Sequence, residues 1–130
     1  MLKNFLTVMS LVVTVFSAGG SYAQESQILV DVLTLQEGKT YADAQEYFDT
    51  VVPIIETHGI KRLRSMEVQN IMQGHAEVVP DIVQVWELQA EDPFKGIFSD
   101  PDYLQHVELR DSIFDMPRTQ FWLATDRTAD

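Results

Sequence analysis

The sequence predicts an α+β domain in which strands and helices follow one another in the order β-α-β-β-α-β. Three observations predict it. Short apolar segments rich in β-branched residues recur along the chain, as in DIVQVWELQ at 81–89. The segment 41–57 repeats its apolar residues at spacings of three and four, which is typical of an amphipathic helix. Asp100-Pro101 indicates a second helix, because aspartate is favoured at the cap and proline at the first helical position.

Residues 1–23 have the pattern of a secretory signal peptide. Lys3 supplies the positive start, 5–16 is almost entirely apolar, and Ser21-Tyr22-Ala23 has the small-x-small form that signal peptidase reads. The apolar run is about 12 residues, whereas roughly 20 are needed to span a bilayer, so cleavage is favoured over an uncleaved anchor. We therefore expect a periplasmic or secreted protein with one domain at 24–130, and no membrane association after cleavage.

Composition narrows the classes of function. The chain has 20 acidic and 9 basic residues, for a formal net charge of −11, and no cysteine. An acidic surface repels a phosphate backbone, so no nucleic-acid partner is expected. Without cysteine, no disulfide and no thiolate metal site can form.

The first strand is predicted at 27–35, apolar on both faces and interrupted by Asp31. Thr40 is expected to cap the following helix, with Asp43 three residues on in a variant of the capping box. Pro53 lies inside that helix and predicts a kink one turn earlier. His58-Gly59 is predicted to end it.

The later elements are read from periodicity and turn residues. They are a strand at 60–73 that could be bulged, a turn at 74–80, a strand at 81–89, a linker or short helix at 91–99, a helix from 100 to about 115, and a strand at 118–125.

This order is that of the ferredoxin-like split motif, a four-stranded antiparallel sheet with both helices on one face. The strands carry large apolar groups on both faces, for example Val83 and Val85 against Ile82 and Trp86. An exposed patch of that size needs a cover. A second copy of the same sheet would provide it, which predicts a symmetric homodimer.

Asp100-Pro101-Asp102-Tyr103, followed by Leu109-Arg110-Asp111, resembles the second helix of the dimeric α+β barrel superfamily. The stretches 48–53 and 83–88 are also similar to it, and the nearest pattern is that of one of its uncharacterised families of unknown function. The superfamily includes antibiotic-biosynthesis monooxygenases and muconolactone isomerases. The resemblance implies two sheets packed face to face as a barrel, with a ligand cavity between their helix-free faces.

Alternation along the strands then assigns side chains to that cavity, if Asp31 is taken as facing it. The assigned residues are Leu29, Asp31 and Leu33; Arg62, Arg64, Met66 and Val68; Ile82, Gln84, Trp86 and Leu88; and Arg118, Gln120, Trp122 and Ala124. Aromatic walls with a few polar groups are typical of a small-molecule pocket. A one-residue slip in the second strand would reverse its assignments.

Asp31 is the first candidate for chemistry. A buried carboxylate needs a partner such as Arg64 to stay ionised. Left unpaired, its pKa would rise and it could act as a general acid or base. The alternative is a structural Asp31–Arg pair, with Trp86 and Trp122 as dimer core.

Two histidines are further candidates. His58 sits at a helix C-terminus, where a cation is mildly favoured, and the resemblance to the superfamily implies that a histidine can lie near the pocket mouth. His106 shares a helix face with Tyr103 and Arg110, and this face could line the pocket rim or be a solvated stripe. The predicted catalytic residues are Asp31, His58 and His106, and the predicted substrate-binding residues are Arg64, Gln84, Trp86, Tyr103, Arg110 and Trp122. No metal site is predicted, because no His-x-His or His-Glu-x-x-His spacing occurs.

The favoured function is that of a cofactor-independent enzyme that moves a proton on a small organic molecule, as an isomerase, epimerase or lyase. One alternative is a non-catalytic dimer that binds a small ligand or responds to stress. A weaker alternative is a cofactor-free monooxygenase.

Overall fold

A computed structural model describes residues 26–128, and the predicted signal peptide lies outside them. A compact unit spans 27–124. Its elements are β1 (Gln27–Leu33), α1 (Tyr41–Glu56), β2 (Ile60–Glu67), β3 (Ile82–Leu88), α2 (Pro93–Ile97), α3 (Pro101–Leu104), α4 (Val107–Ile113), a 3₁₀ turn (Met116–Arg118) and β4 (Gln120–Thr125). In a separate short segment, the Asp126 amide donates to the Ser26 carbonyl at 2.9 Å.

The four strands form one sheet in the order β2-β3-β1-β4. β3 pairs antiparallel with both β1 and β2. This is the ferredoxin-like arrangement, and the predicted fold class is confirmed. None of the helices found between residues 26 and 128 is long and apolar enough to cross a membrane.

α1 begins at the cap that the sequence predicts. The Thr40 hydroxyl accepts from the Asp43 amide and the Asp43 carboxylate accepts from the Thr40 amide, so both halves of the capping box are present. The helix continues through Pro53 to Glu56. Gly59 follows with φ +91°, the left-handed conformation that lets the chain leave the helix and enter β2.

β2 contains a bulge, which the sequence analysis gave as a possibility for this strand. Arg62 lies opposite Trp86 and Arg64 lies opposite Val85, with the register shift between them. Because one residue is inserted there, the two arginines project from opposite faces of the sheet. Their predicted placement on one face is wrong. β2 also ends at Glu67, six residues before the end predicted for it.

The predicted second helix is broken into pieces. α3 ends at Leu104. His106, with φ −104° and ψ 4°, interrupts the helical conformation before α4 begins. Arg118 belongs to the 3₁₀ turn, whereas the sequence had placed it in the last strand. These short helices, together with α1, cover one face of the sheet.

The core lies between the sheet and the helices. Tyr47, Phe48 and Phe114 pack as an aromatic cluster with ring centroids 5.6–5.9 Å apart. Leu29 and Trp86 join this core from β1 and β3. The helix-covered face is therefore the one that carries the odd-numbered residues of β1, including Asp31.

Candidate functional site

The candidate site is a cavity of about 180 Å³ between the sheet and the helices. Most of its wall is aromatic and aliphatic, as is usual for small-molecule sites. The wall is formed by Leu29, Asp31, Leu33, Tyr47, Phe48, Ile55, Ile60, Gln84, Trp86, Phe94, Ile97, Phe98, Tyr103, Arg110, Phe114, Met116 and Phe121. Phe98 and Phe121 are more than half exposed, which places them where the cavity meets solvent.

Asp31 is the carboxyl group of this wall and is only 6% exposed. Its Oδ2 accepts hydrogen bonds from Trp86 Nε1 at 3.0 Å and from Gln84 Nε2 at 3.3 Å. Its Oδ1 is buried and has no hydrogen-bond partner among the residues described. One oxygen is thus held by two donors, whereas the other is buried without a partner.

Burial raises the pKa of Asp31 to about 7. Desolvation disfavours the charged form, and it outweighs the hydrogen bonds from Trp86 and Gln84 and the more distant charge of Arg62, all of which lower the pKa. The carboxyl group therefore exists in both protonation states near neutral pH.

The strand register creates this arrangement. β1 and β3 pair Asp31 with Gln84 and Leu29 with Trp86. Residues directly opposite one another in an antiparallel pair project from the same face, and diagonal neighbours remain within reach of a long side chain. The indole of Trp86 can therefore reach Asp31 from the neighbouring pair.

Arg62 approaches Asp31 through an amide bridge. Its Nη1 donates to Gln84 Oε1 at 3.0 Å, and the amide nitrogen of Gln84 donates to Asp31. The guanidinium carbon of Arg62 also lies 5.7 Å from the centre of the Phe48 ring, a distance suited to a cation–π contact. Gln84 is 1% exposed, so the bridge is shielded from water.

Arg64, the partner predicted for Asp31, does not fill that position. Its side chain is exposed and donates to the carbonyl of Leu63, at 3.4 Å. The bulge turns Arg64 to the other face and leaves Arg62 on the helix-covered one. The prediction of an Asp31–Arg64 pair is wrong for this reason.

A second polar cluster lies in the same cavity wall. Tyr103 OH accepts from Arg110 Nη1 at 3.1 Å, and Arg110 Nε donates to Asp111 Oδ1 at 3.0 Å. Burial, with the nearby Tyr103, raises the pKa of the Tyr47 phenol, so it stays protonated. Tyr103 and Arg110 had been predicted to bind substrate. They line the cavity, and their role in binding stays a prediction.

The other predicted site residues lie away from Asp31. His58 Nε2 is 2.7 Å from Asp100 Oδ2, and this contact holds the pKa of Asp100 below its usual range. His106 precedes α4, and neither histidine lines the cavity. Trp122 is 53% exposed and faces the helix-free side together with Val30 and Val83. Its placement on the face of Asp31 was wrong, as was that of Gln120.

Asp31, Gln84 and Trp86 were correctly grouped on one face, but that face is the helix-covered one, not the helix-free one that had been predicted. Tyr47 belongs to the apolar stripe of the helix predicted at 41–57 and was not among the predicted site residues. The sequence could have indicated Tyr47, because it places a hydroxyl group on the buried stripe of an amphipathic helix. A buried tyrosine hydroxyl usually needs a hydrogen-bond partner. No group of three or more potential metal ligands occurs in the described part of the chain.

No family model matches this sequence, and no curated protein matches it. Solved structures do. A NIPSNAP family protein of unknown function from Agrobacterium tumefaciens has a TM-score of 0.62 at 12% identity, over 79% of this chain and 89% of its own. SnoaB, a cofactor-independent oxygenase from Streptomyces nogalater, has a TM-score of 0.53 at 13% identity, over 80% and 95%.

A DABB family protein with a ferredoxin-like fold from Mesorhizobium loti has a TM-score of 0.50 at 12% identity, over 78% of this chain and 95% of its own. At these identities the likeness concerns the fold. The chain thus has the ferredoxin-like α+β fold of these proteins, in agreement with its resemblance to the dimeric α+β barrel superfamily.

Proposed function

We propose that this protein is a cofactor-independent enzyme that moves a proton on a small, mainly apolar organic molecule, with Asp31 as the acid/base group. The observation that carries the proposal is the Asp31 carboxyl group in the cavity wall, buried, with Oδ1 unpaired and a pKa of about 7. Strongly perturbed titratable groups in a cavity are characteristic of catalytic sites.

The surroundings of Asp31 suit proton transfer. A carboxylate with a pKa near the working pH is a stronger base than an ordinary aspartate, and it is still available in its charged form. Trp86 and Gln84 fix Oδ2, so Oδ1 is the atom free to meet a substrate proton. The apolar wall keeps water away from the anion formed on the substrate. Isomerisation, epimerisation and elimination each begin with such a proton abstraction.

Deuterium exchange tests the role of Asp31 directly. The protein is incubated in D₂O with a panel of monocyclic ketones, enols and phenols, and exchange at carbon is followed by mass spectrometry. Asp31→Asn should slow exchange by about 10²- to 10⁴-fold, the usual contribution of general acid–base catalysis. Asp49→Asn, on the exposed face of α1, is the matched control. Equal rates for Asp31→Asn and the unmodified protein would remove Asp31 from the mechanism.

A second candidate is cofactor-free oxygenation, supported by the fold shared with the Streptomyces oxygenase. The same base would deprotonate a hydroxylated ring, and the resulting anion would react with molecular oxygen. Oxygen uptake that depends on a quinol-type substrate and on Asp31 would support this candidate. Exchange into substrate without oxygen uptake would favour the first candidate, and ligand binding without either would favour a non-catalytic protein.

We also propose that two copies pair through their helix-free sheet faces. Met66 and Trp122 are 42% and 53% exposed there, beside Val30 and Val83, and an apolar surface of this kind needs a cover. The resemblance to the dimeric α+β barrel superfamily supports this assembly. Light scattering on the native protein tests it, and a monomer at micromolar concentration would contradict it.

The signal-peptide pattern supports export as a further proposal. Expression of the whole chain in a bacterial host, followed by fractionation and N-terminal sequencing, tests it. A periplasmic or secreted protein beginning at Gln24 is the expected result.

A further inference from the structure

The second polar cluster of the cavity, formed by Tyr47, Tyr103 and Arg110, has no part in holding Asp31. We infer that it is an anion-binding subsite, and that the ligand is a single-ring compound bearing one carboxylate or other ionised oxygen group. This inference rests on the proposed function, because it names the substrate class of the same cavity.

The first argument for an anion-binding subsite is that the cluster has hydrogen-bond donors that are not used within the protein. Arg110 uses Nε for Asp111 and Nη1 for Tyr103, while a guanidinium has five N–H hydrogens in a planar fork. The hydrogen bond from Arg110 occupies an acceptor site on the Tyr103 oxygen, so the phenol hydrogen of Tyr103 remains a donor. The Tyr47 phenol, which its raised pKa keeps protonated, is hydrogen-bonded to Tyr103, so the free donors of the cluster are those of Arg110 and Tyr103. The cluster therefore offers donors to an incoming oxygen anion.

The second argument is that the positive charge of Arg110 at the cavity is only weakly neutralised. Arg110 is the one lysine or arginine side chain among the residues found to line the cavity, in a chain whose formal net charge is −11. Its partner Asp111 is 53% exposed, so water screens that ion pair. The Arg110 side chain itself is 22% exposed. An anion bound from the cavity side would meet a cation that is only weakly neutralised.

The third argument is that the volume of the cavity suits a ligand with a single ring. A dry cavity of about 150 Å³ is large enough for benzene, and this one is about 180 Å³. One ring with a small substituent fills such a space. Stacked and edge-on aromatic side chains, including Phe48, Phe98 and Phe114, suit a flat ring. With the anionic group at Arg110, the ring would lie against the apolar wall that also contains Asp31.

Benzoate is the probe, with benzyl alcohol as its neutral counterpart. Binding to the whole protein is measured by calorimetry and by protein NMR at about pH 6, below the pKa of Asp31, where the Asp31 carboxyl is mostly neutral. Benzoate should bind at least about tenfold more tightly than benzyl alcohol. Arg110→Met should weaken benzoate by about 10- to 100-fold and leave benzyl alcohol within about twofold, which shows that the cavity is intact.

The matched control is Arg118→Met, which removes the same charge from the 3₁₀ turn outside the cavity. It should leave benzoate binding unchanged. Arg110→Lys, which keeps the charge without the planar fork, and Tyr103→Phe should each weaken benzoate several-fold, and they decide the matter if Arg110→Met fails to fold.

Three results would overturn the inference. They are an absence of benzoate binding at millimolar concentration, equal affinities for benzoate and benzyl alcohol, and equal losses in the Arg110 and Arg118 variants. Asp31→Asn separates this test from that of the proposed function, because it removes the acid/base group and should leave benzoate affinity unchanged or higher. A benzoate site without any Asp31-dependent exchange would support the anion subsite and refute the catalytic role.

Discussion

Asp31→Asn is expected to stabilise the protein at neutral and alkaline pH and to destabilise it by about 1–3 kcal/mol in acid. The aspartate carboxyl is buried, and its pKa is raised from 3.8 to about 7. In the unfolded chain the Asp31 carboxyl ionises near pH 3.8. Folding at a pH between 3.8 and about 7 is therefore accompanied by the uptake of a proton. The stability associated with neutral Asp31 is fully present below the unfolded pKa and is lost as the pH rises through the folded pKa.

The magnitude follows from the shift. A difference of about three pH units at roughly 1.36 kcal/mol per unit corresponds to about 4 kcal/mol lost between about pH 4 and pH 8. Asparagine is nearly the same size, does not ionise, and its carbonyl can accept from Trp86 and Gln84 as Oδ2 does. Its amide group remains buried without a partner, which costs about 1–3 kcal/mol at every pH. The net gain at pH 8 is therefore about 1–3 kcal/mol.

The assay is urea unfolding followed by far-UV circular dichroism at pH values from 4.5 to 8, at one fixed protein concentration because any dimer couples stability to concentration. The difference in unfolding free energy between Asp31→Asn and the unmodified protein should rise with pH. Glu46→Gln, which removes a carboxylate from the exposed face of α1, is the control and should show a nearly constant difference. A constant difference for Asp31→Asn as well would refute the burial and the raised pKa on which the mechanism depends.

Two further predictions use matched pairs of variants. Arg62→Met should raise the pKa of Asp31 above about 7, because the positive charge of Arg62 and its hydrogen bond to Gln84 both favour the ionised carboxylate. Arg64→Met, on the opposite face of the sheet, should leave the pKa of Asp31 unchanged. Carboxyl ¹³C NMR measures the pKa of Asp31 in both variants. Gly59→Ala should cost more than about 2 kcal/mol of unfolding free energy, because φ is +91° and the new Cβ would lie 2.5 Å from Ala90 Cβ. Gly38→Ala, at φ +83° in open space, should cost only the conformational part, about 1 kcal/mol, and similar losses by thermal unfolding in both would contradict the predicted clash.

Local sequence signals predicted the elements well because each depends on neighbours along the chain. The capping box of Thr40 and Asp43 and the glycine that follows α1 are contacts within a few residues, and they form as predicted. The break at His106 was not predicted, because the apolar stripe continues across it and gives no local sign. The end of β2 at Glu67 was not predicted either, because apolar residues recur beyond it at Val68, Ile71 and Met72.

The candidate site was only partly predictable. Alternation correctly joined Asp31, Gln84 and Trp86, since β1 and β3 pair without a bulge. It failed for β2, because a bulge inserts a residue after Arg62 and turns Arg64 to the opposite face. Alternation also says which residues share a face and never which face the helices cover, so Asp31 was assigned to the wrong side.

The sequence by itself determined the order of strands and helices, the ferredoxin-like fold and the presence of a carboxyl group within an apolar strand. These follow from periodicity, capping and turn chemistry, which are local. Only the tertiary structure decided that Asp31 faces the helices, that Arg62 reaches it through Gln84, and that Tyr103 and Arg110 share its cavity. The physical reason is that a pKa and a binding site arise from groups brought together across the sheet, and the distances between them depend on register and packing.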